Sequence, residues 1–227
     1  MLVRHAESVG NVAREHAMAV GAEVIDIDQR DADVPLSARG AEQASALGRW
    51  LAGVPADDRP QSAWASPYLR AGQTAATALQ TAGLDLTARP DERLRDRDLG
   101  VLDRLTTAGI DARFPDEGQR RRLLGKLYYR PLAGESWADV ALRVRSLLAD
   151  LERLEAGRRV VLFAHDAVIV LVRYVCEELT ESALLEIGRT TTVANTSVTR
   201  LVRPSGSGPW RLAGFNDTGH LGTGAGA

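Results

Sequence analysis

The sequence predicts an α/β fold: a three-layer α/β/α sandwich around a mainly parallel central sheet. Three observations carry that prediction. "RRVVLFAH" (158–165) is a continuous apolar run rather than an alternating one, which fits a strand buried on both faces of a parallel sheet. "DAVIVLVRYVCEEL" follows directly and is apolar nearly all round, as a helix packed on such a sheet must be. Strand-like and helix-like patterns alternate along the 227 residues, the rhythm of strand–helix–strand units.

Taken in order, "MLV" is a strand stub, short enough to suggest that the natural strand starts further upstream. An acidic loop runs from Gly21 to Asp33, after which Ser37 can N-cap a helix whose apolar positions Ala41, Ala44, Leu47 and Leu51 recur at helical spacing. "SAWAS" (62–66) is a short buried strand, and Pro67 opens the helix "YLRAGQTAATALQTAG", with Gly83 as its stop. A long amphipathic helix runs from Glu135 to about Ala156, with Trp137, Val140, Val144, Leu147 and Leu151 on one face. "NTSVTRLV" and "WRLAGFN" supply late strands. Between Gly100 and Gly134 lies an insertion, residues 101–134, expected to be helical and to cover the site as a lid. Residues 1–220 form one domain, and the glycine-rich end, 221–227, is a flexible tail.

Composition removes several classes of function. With 44% hydrophobic and 26% charged residues the chain is an ordinary globular one, not disordered or fibrous. A net charge of −2 gives no long-range pull toward nucleic acid or an anionic membrane, so any anion must be bound locally. Lys126 is the only lysine among 28 Lys and Arg residues, a coding bias that makes the arginine count uninformative. Cys176 is alone and no intrachain disulfide can form. No apolar run approaches the ~18 residues of a membrane span, and no signal-peptide pattern precedes Arg4. A cytoplasmic protein is expected, with no nucleic-acid or membrane partner; a homodimer is left open.

In folds of this class, ligands bind outside the carboxyl ends of the strands. Arg4 and His5 end the first strand, His165 ends "VVLFAH", and Arg70 sits one turn into the helix after "SAWAS". Two guanidinium forks suit a tetrahedral oxyanion, while two imidazoles supply a nucleophile and a second donor. The chemistry implied is phosphoryl transfer through a histidine, with no cofactor. A lone His at a strand end is more often a hydrogen-bonded core residue; it is the convergence of four such groups that points to a site. No metal is expected either, because no His, Asp or Glu falls at a tight ligand spacing such as H-x-x-x-H.

Seven segments then carry a resemblance. "RHAESVGN", "PLSARGAEQA", "SPYLRAGQTA", "RLRDRDLG", "GESWADVALRV", "VVLFAHDAVI" and "FNDTGHL", in that order, resemble the signatures of the histidine phosphatase (phosphoglycerate mutase-like) superfamily over nearly the whole chain. The resemblance implies a phosphoglycerate mutase-like fold and a nucleophilic His5 that becomes phosphohistidine. Arg4, Arg70 and His165 would grip the phosphoryl oxygens, Asn11 would donate a further hydrogen bond, and Ser8 would support the loop. Glu135 would position His5 or its neighbours, or else be an acid favoured at a helix start by the macrodipole. His16 and His220 match no such role and are taken as structural.

One position departs from the family. Where its members usually carry Glu as proton donor, this chain has Asp96, one methylene shorter, and an acid must come within about 2.6–3.2 Å of its target. Asp166, directly after His165, resembles the donor of the acid phosphatase and phytase branch, but it also fits a helix N-cap. Asp96 is preferred. On the lid, Tyr129 and Arg130, with Arg120, Arg121, Arg122 and Tyr128, are candidate substrate contacts, a solvated basic face being the alternative for most of the arginines. The Arg-Arg-Ser-Tyr segment of the mutases is missing, and "YYRPLAGES" resembles the hydrolytic members. The function expected is therefore metal-independent hydrolysis of a small phosphorylated metabolite. A bisphosphoglycerate-dependent mutase and a non-catalytic phosphoryl-binding module are the alternatives.

Overall fold

The computed structural model describes residues 1–203, 206 and 208–222; of the expected tail, 223–227 lie outside the described residues. Six strands form one sheet: β1 (Leu2–Arg4), β2 (Ser62–Ala65), β3 (Arg89–Pro90), β4 (Val160–Ala164), β5 (Val198–Val202) and β6 (Arg211–Asp217). Their spatial order is β3-β2-β4-β1-β5-β6. The first four are mutually parallel, and β5 and β6 close one edge antiparallel.

β4 explains the layering. Val161 and Phe163 pack with Leu47, Leu51, Ala75 and Ala78, from α2 (Ala38–Gly53) and α3 (Leu69–Thr81), on one face. Leu162 and Ala164 pack on the other with Val140, Val144 and Ile169, from α6 (Trp137–Leu154) and α7 (Asp166–Cys176). Successive side chains of a strand point to opposite faces, so an unbroken apolar run needs a helical layer on each side. That is the sandwich the sequence predicts.

Several boundaries differ from expectation, and each has a local cause. Pro67 does not open α3; Ser66 Oγ accepts the Tyr68 N–H at 3.2 Å and keeps the chain extended until Leu69, with Tyr68 as N-cap. α6 starts at Trp137 rather than Glu135, because Ser136 and Asp139 form a reciprocal capping box. Asp166 is the first residue of α7 and not its cap; His165 holds the cap position without a side-chain bond. The two-residue β3 was not foreseen, since "RP" carries no strand pattern. It pairs with β2, and the Asp91 N–H to Ala65 C=O bond of 3.0 Å then delivers the following loop to the rim.

Two glycines set close approaches there. A Cβ on Gly40 would stand 1.9 Å from the Glu7 carbonyl oxygen, so glycine lets α2 abut the loop that follows His5. Gly100, at φ +54, would place a Cβ 2.1 Å from the Leu132 oxygen and thus closes the neck of the insertion. The insertion itself carries α4 (Thr107–Arg113) and α5 (Pro115–Tyr128). Two further helices are α1 (Val9–Ala19), which follows the His5 loop, and α8 (Glu181–Thr190), packed on α5 and α7.

Candidate active site

The carboxyl ends of β1, β2 and β4 meet at one edge of the sheet. The His5 N–H donates to the Ala164 carbonyl at 2.9 Å, which ties the two histidine-bearing strand ends together, and the His5 and His165 rings lie 5.1 Å apart.

His5 is 3% exposed. Its Nδ1 lies 2.7 Å from the Ala6 carbonyl oxygen. A carbonyl only accepts, so Nδ1 carries the hydrogen and Nε2 keeps a lone pair. Burial, followed by the charges of His165, Arg4 and Arg70, pushes the His5 pKa well below its ordinary 6.5. The ring is therefore neutral, and its free nitrogen is nucleophilic, at neutral pH.

The surrounding loop is pinned at several points. The Ala6 N–H donates to Thr74 Oγ1 at 2.9 Å, and Asn195 Nδ2 donates to the His5 carbonyl at 2.9 Å. Ser8 caps α1, its Oγ accepting the Asn11 N–H while Asn11 Oδ1 accepts the Ser8 N–H at 3.0 Å. Asn11 Oδ1 also accepts from Asn195 at 3.3 Å, which leaves Nδ2 as the donor end of that amide. Asn195 was not singled out in the sequence; a lone Asn in "VANTS" carries no signal.

Arg70 is 4% exposed and is held on both sides. Its Nη1 donates to the Asp31 main-chain oxygen at 2.6 Å and pairs with the Asp31 carboxylate at 3.0 Å; its Nη2 lies 3.3 Å from Asp96 Oδ2. Asp31 comes from the acidic loop, where nothing in the sequence separates it from Asp26, Asp28 or Asp33. His165 is fully buried, with Nε2 2.9 Å from Ser66 Oγ. Its Nδ1 lies 3.3 Å from Asp96 Oδ2, close but without hydrogen-bond alignment.

Burial pushes the Asp96 carboxyl upward, but His165, Arg70 and the Arg97 N–H together hold it well below the usual carboxylate range. Asp166 differs. Burial raises its pKa, only partly offset by Arg4 and by the Val193 N–H, which donates to Oδ1 at 3.4 Å.

Among the described residues, three buried polar side-chain atoms lack any hydrogen-bond partner: Arg4 Nε, His165 Nδ1 and Ser197 Oγ. The first two are donors beside His5. Arg4 is anchored by its other end, Nη1 donating to the Val193 carbonyl, so Nε is fixed and unsatisfied. Leaving a buried donor unpaired costs about 1–3 kcal/mol, a cost that an anion accepting from both atoms would remove.

Three expected contacts are committed elsewhere. Glu135 does not touch His5; it pairs with Arg95 at 2.6 Å and Arg143 at 3.0 Å and accepts the Asp98 N–H at 3.1 Å. Arg143 in turn donates to the carbonyls of Arg93, Arg95 and Asp96, so Glu135 shapes the loop that carries Asp96. Tyr129 is 3% exposed and its hydroxyl donates to Glu117 at 2.6 Å, because α5 folds its ring inward. Arg130 is exposed and closed on Asp139. Of the outlying histidines, His16 is exposed and His220 lies 3.3 Å from Thr196 Oγ1. No group of three His, Cys, Asp or Glu among the described residues is arranged to hold a metal ion.

A profile described as "Histidine phosphatase superfamily (branch 1)" matches residues 1–218. A protein named "Probable phosphoglycerate mutase GpmB" from Salmonella paratyphi A is 31% identical over 170 residues, spanning 72% of this chain and 67% of that one. The mycobacterial glucosyl-3-phosphoglycerate phosphatase, solved with VO3, shares 30% identity at TM-score 0.74, covering 95% of this chain and 96% of its own. The alpha-ribazole phosphatase from Shigella flexneri, at 18% identity and TM-score 0.74 over 95% of each chain, shares the fold.

Proposed function

Because the chain belongs to the histidine phosphatase superfamily, we propose that it is a phosphomonoester hydrolase that works through a phosphohistidine on His5 and needs no metal. The observation that carries this is the pair of orphaned buried donors, Arg4 Nε and His165 Nδ1, beside a neutral His5. An oxyanion satisfies both, and two guanidinium groups and an imidazole supply the charge stabilisation that a divalent ion supplies elsewhere.

In the first step Nε2 of His5 attacks phosphorus and the ester P–O bond breaks as Asp96 gives its proton to the departing alkoxide. In the second, Asp96 as carboxylate takes a proton from water, the water oxygen attacks phosphorus, the N–P bond breaks, and inorganic phosphate leaves. Asp96 is ionised in the free site, so it must gain a proton as substrate binds. Dianionic phosphoryl oxygens take over Arg70 and His165 and add a like charge nearby, and both changes raise the carboxyl pKa. Asp166, already raised by burial, is the rival donor. A mutase activity is the second reading, favoured by the name of the Salmonella relative.

The test is to trap the intermediate. An acid-labile phosphoenzyme should form equally well in EDTA and vanish in His5→Ala. Full activity in His5→Ala, or a strict need for a divalent ion, overturns the mechanism. Isomerised product that depends on added bisphosphate, with little phosphate release, selects the mutase.

A further inference from the structure

We propose that Asn216, on the edge strand β6, is a positioning residue of the active site: through the peptide groups that flank Val193 it sets the direction of the Arg4 guanidinium. The proposal rests on the phosphohistidine reading above, in which Arg4 grips a phosphoryl oxygen. It also gives the "FNDTGHL" segment a task that the reaction itself does not assign.

Asn216 owes its direction to a bulge. Val198 pairs with Asp217 and Arg200 with Gly214, so two residues of β6, Phe215 and Asn216, oppose Thr199 of β5. A bulge of this kind breaks the in–out alternation of a strand and re-aims a side chain. The Asn216 N–H turns to Thr199 Oγ1 at 3.3 Å, and its φ is +57, in the left-handed region that asparagine enters more readily than most residues.

The side-chain amide closes on the turn that leads into β5. Oδ1 accepts the Ala194 N–H at 2.7 Å, and Nδ2 donates to the Thr192 carbonyl at 3.1 Å. These groups belong to the two peptide units that meet at Val193, which is fully buried. The remaining groups of the same two units point at the site: the Val193 carbonyl accepts from Arg4 Nη1, and the Val193 N–H donates to Asp166 Oδ1 at 3.4 Å. Each peptide is thus held by Asn216 on one side and by a residue of the site on the other.

A trans peptide carries its N–H and C=O on opposite sides. Fixing the Ala194 N–H on Asn216 therefore aims the Val193 carbonyl at Arg4, and bonds in such a chain polarise one another. A guanidinium is planar and rigid, so anchoring Nη1 also directs Nε, the buried donor left over for an oxyanion. Asn216 touches neither phosphorus nor His5 in this scheme; it acts through Arg4.

Asn216→Gly removes the amide and keeps the left-handed backbone accessible. It should lower kcat/KM on p-nitrophenyl phosphate about tenfold and weaken calorimetric binding of inorganic phosphate about fivefold. In an Arg4→Gln background the same change should weaken phosphate by less than about twofold, because the group that it directs is gone. Asp217→Ala, at the next position, loses the acceptor of the Gly219 N–H at 2.9 Å and should leave rate and affinity unchanged. An equal loss of affinity in the Arg4→Gln background, an equal loss in Asp217→Ala, or a lower urea midpoint with rate and affinity unchanged overturns the proposal. Should Asn216→Gly not fold, Asn216→Ser, whose side chain is too short to span both peptides, takes its place in the same cycle.

If the wild-type chain binds phosphate but turns over no phosphomonoester, the hydrolase reading fails and the phosphate cycle still decides the role of Asn216. A wild-type chain that binds no phosphate overturns both.

Discussion

Oδ2 of Asp96 lies 3.3 Å from Nη2 of Arg70, so the free site holds a carboxylate of its own on the fork that the proposed mechanism gives to phosphoryl oxygens. The same oxygen is 3.3 Å from His165 Nδ1. On the proposed mechanism phosphate competes with Asp96 for the Arg70 fork, while His165 Nδ1 has no hydrogen bond to give up. Asp96→Asn removes that competitor and should tighten binding of inorganic phosphate by about five- to tenfold, or roughly 1 kcal/mol. Calorimetry in buffers of different ionisation enthalpy should detect proton uptake by the wild-type chain and none by the variant. The variant should also lose about 10²–10⁴-fold in turnover of alkyl phosphates, and much less for an aryl phosphate whose leaving group needs little protonation. If Asp166→Asn gives the leaving-group-dependent loss instead, the donor is Asp166.

Ser66 Oγ partners Nε2 of the second histidine, and the Asp96 carboxylate, which only accepts, faces Nδ1. The hydroxyl lies 2.9 Å from His165 Nε2 and, donating there, leaves the hydrogen on Nδ1, where a phosphoryl oxygen can accept it. Ser66→Ala should lower kcat/KM by about tenfold or more, because the ring is then free to hold either tautomer, while Ser66→Thr should restore most of it. A loss of stability alone, with kcat/KM unchanged, would leave Ser66 a packing residue only.

Two imidazoles buried as neutral rings make the free protein sensitive to acid. The pKa of His5 is lowered by burial, by His165 once that ring is protonated, and by the charges of Arg4 and Arg70; that of His165 is lowered by burial, with Asp96 opposing. The sign follows from linkage. Below pH 6.5 the unfolded chain binds protons that the folded chain refuses, so their stabilisation is complete above that pH and is lost as pH falls. Each ring contributes up to about 1.4 kcal/mol per pH unit in that window. Urea midpoints between pH 7 and 5, without phosphate, should drop accordingly, and the slope should shrink in His165→Gln. An unchanged slope would mean that the ring is already charged in the fold.

How much of this was legible follows from what periodicity and motifs record. The buried strand "VVLFA" and the helix after it were plain, because burial on two faces writes an apolar run. That Arg4, His5, Arg70 and His165 share one rim was legible because each closes or follows a recognisable element. Asp31, Ser66 and Asn195 act through side-chain contacts that long-range packing creates, and no local pattern marks them. For Tyr129 and Arg130 the residue types were suggestive, yet their direction depends on how α5 folds back, and both close on nearby carboxylates.

Glu135 separates a motif from its explanation. One account makes it an acid near a helix N-terminus, an effect of about 0.3–1 kcal/mol. The contacts favour another: its carboxylate neutralises Arg143, whose side chain is 10% exposed and whose three remaining bonds hold the carbonyls of Arg93, Arg95 and Asp96. In Glu135→Gln the guanidinium stays buried without its counter-charge, which should cost about 3 kcal/mol in urea unfolding. The double variant Glu135→Gln with Arg143→Met removes the stranded charge and should recover part of that stability. It should not recover turnover, because the Asp96 loop has lost its tether. In both variants kcat on an alkyl phosphate should fall further than kcat on an aryl phosphate, since the acid and not the nucleophile has moved. A cost below about 1 kcal/mol, with both substrates slowed alike, would return Glu135 to the helix-start role.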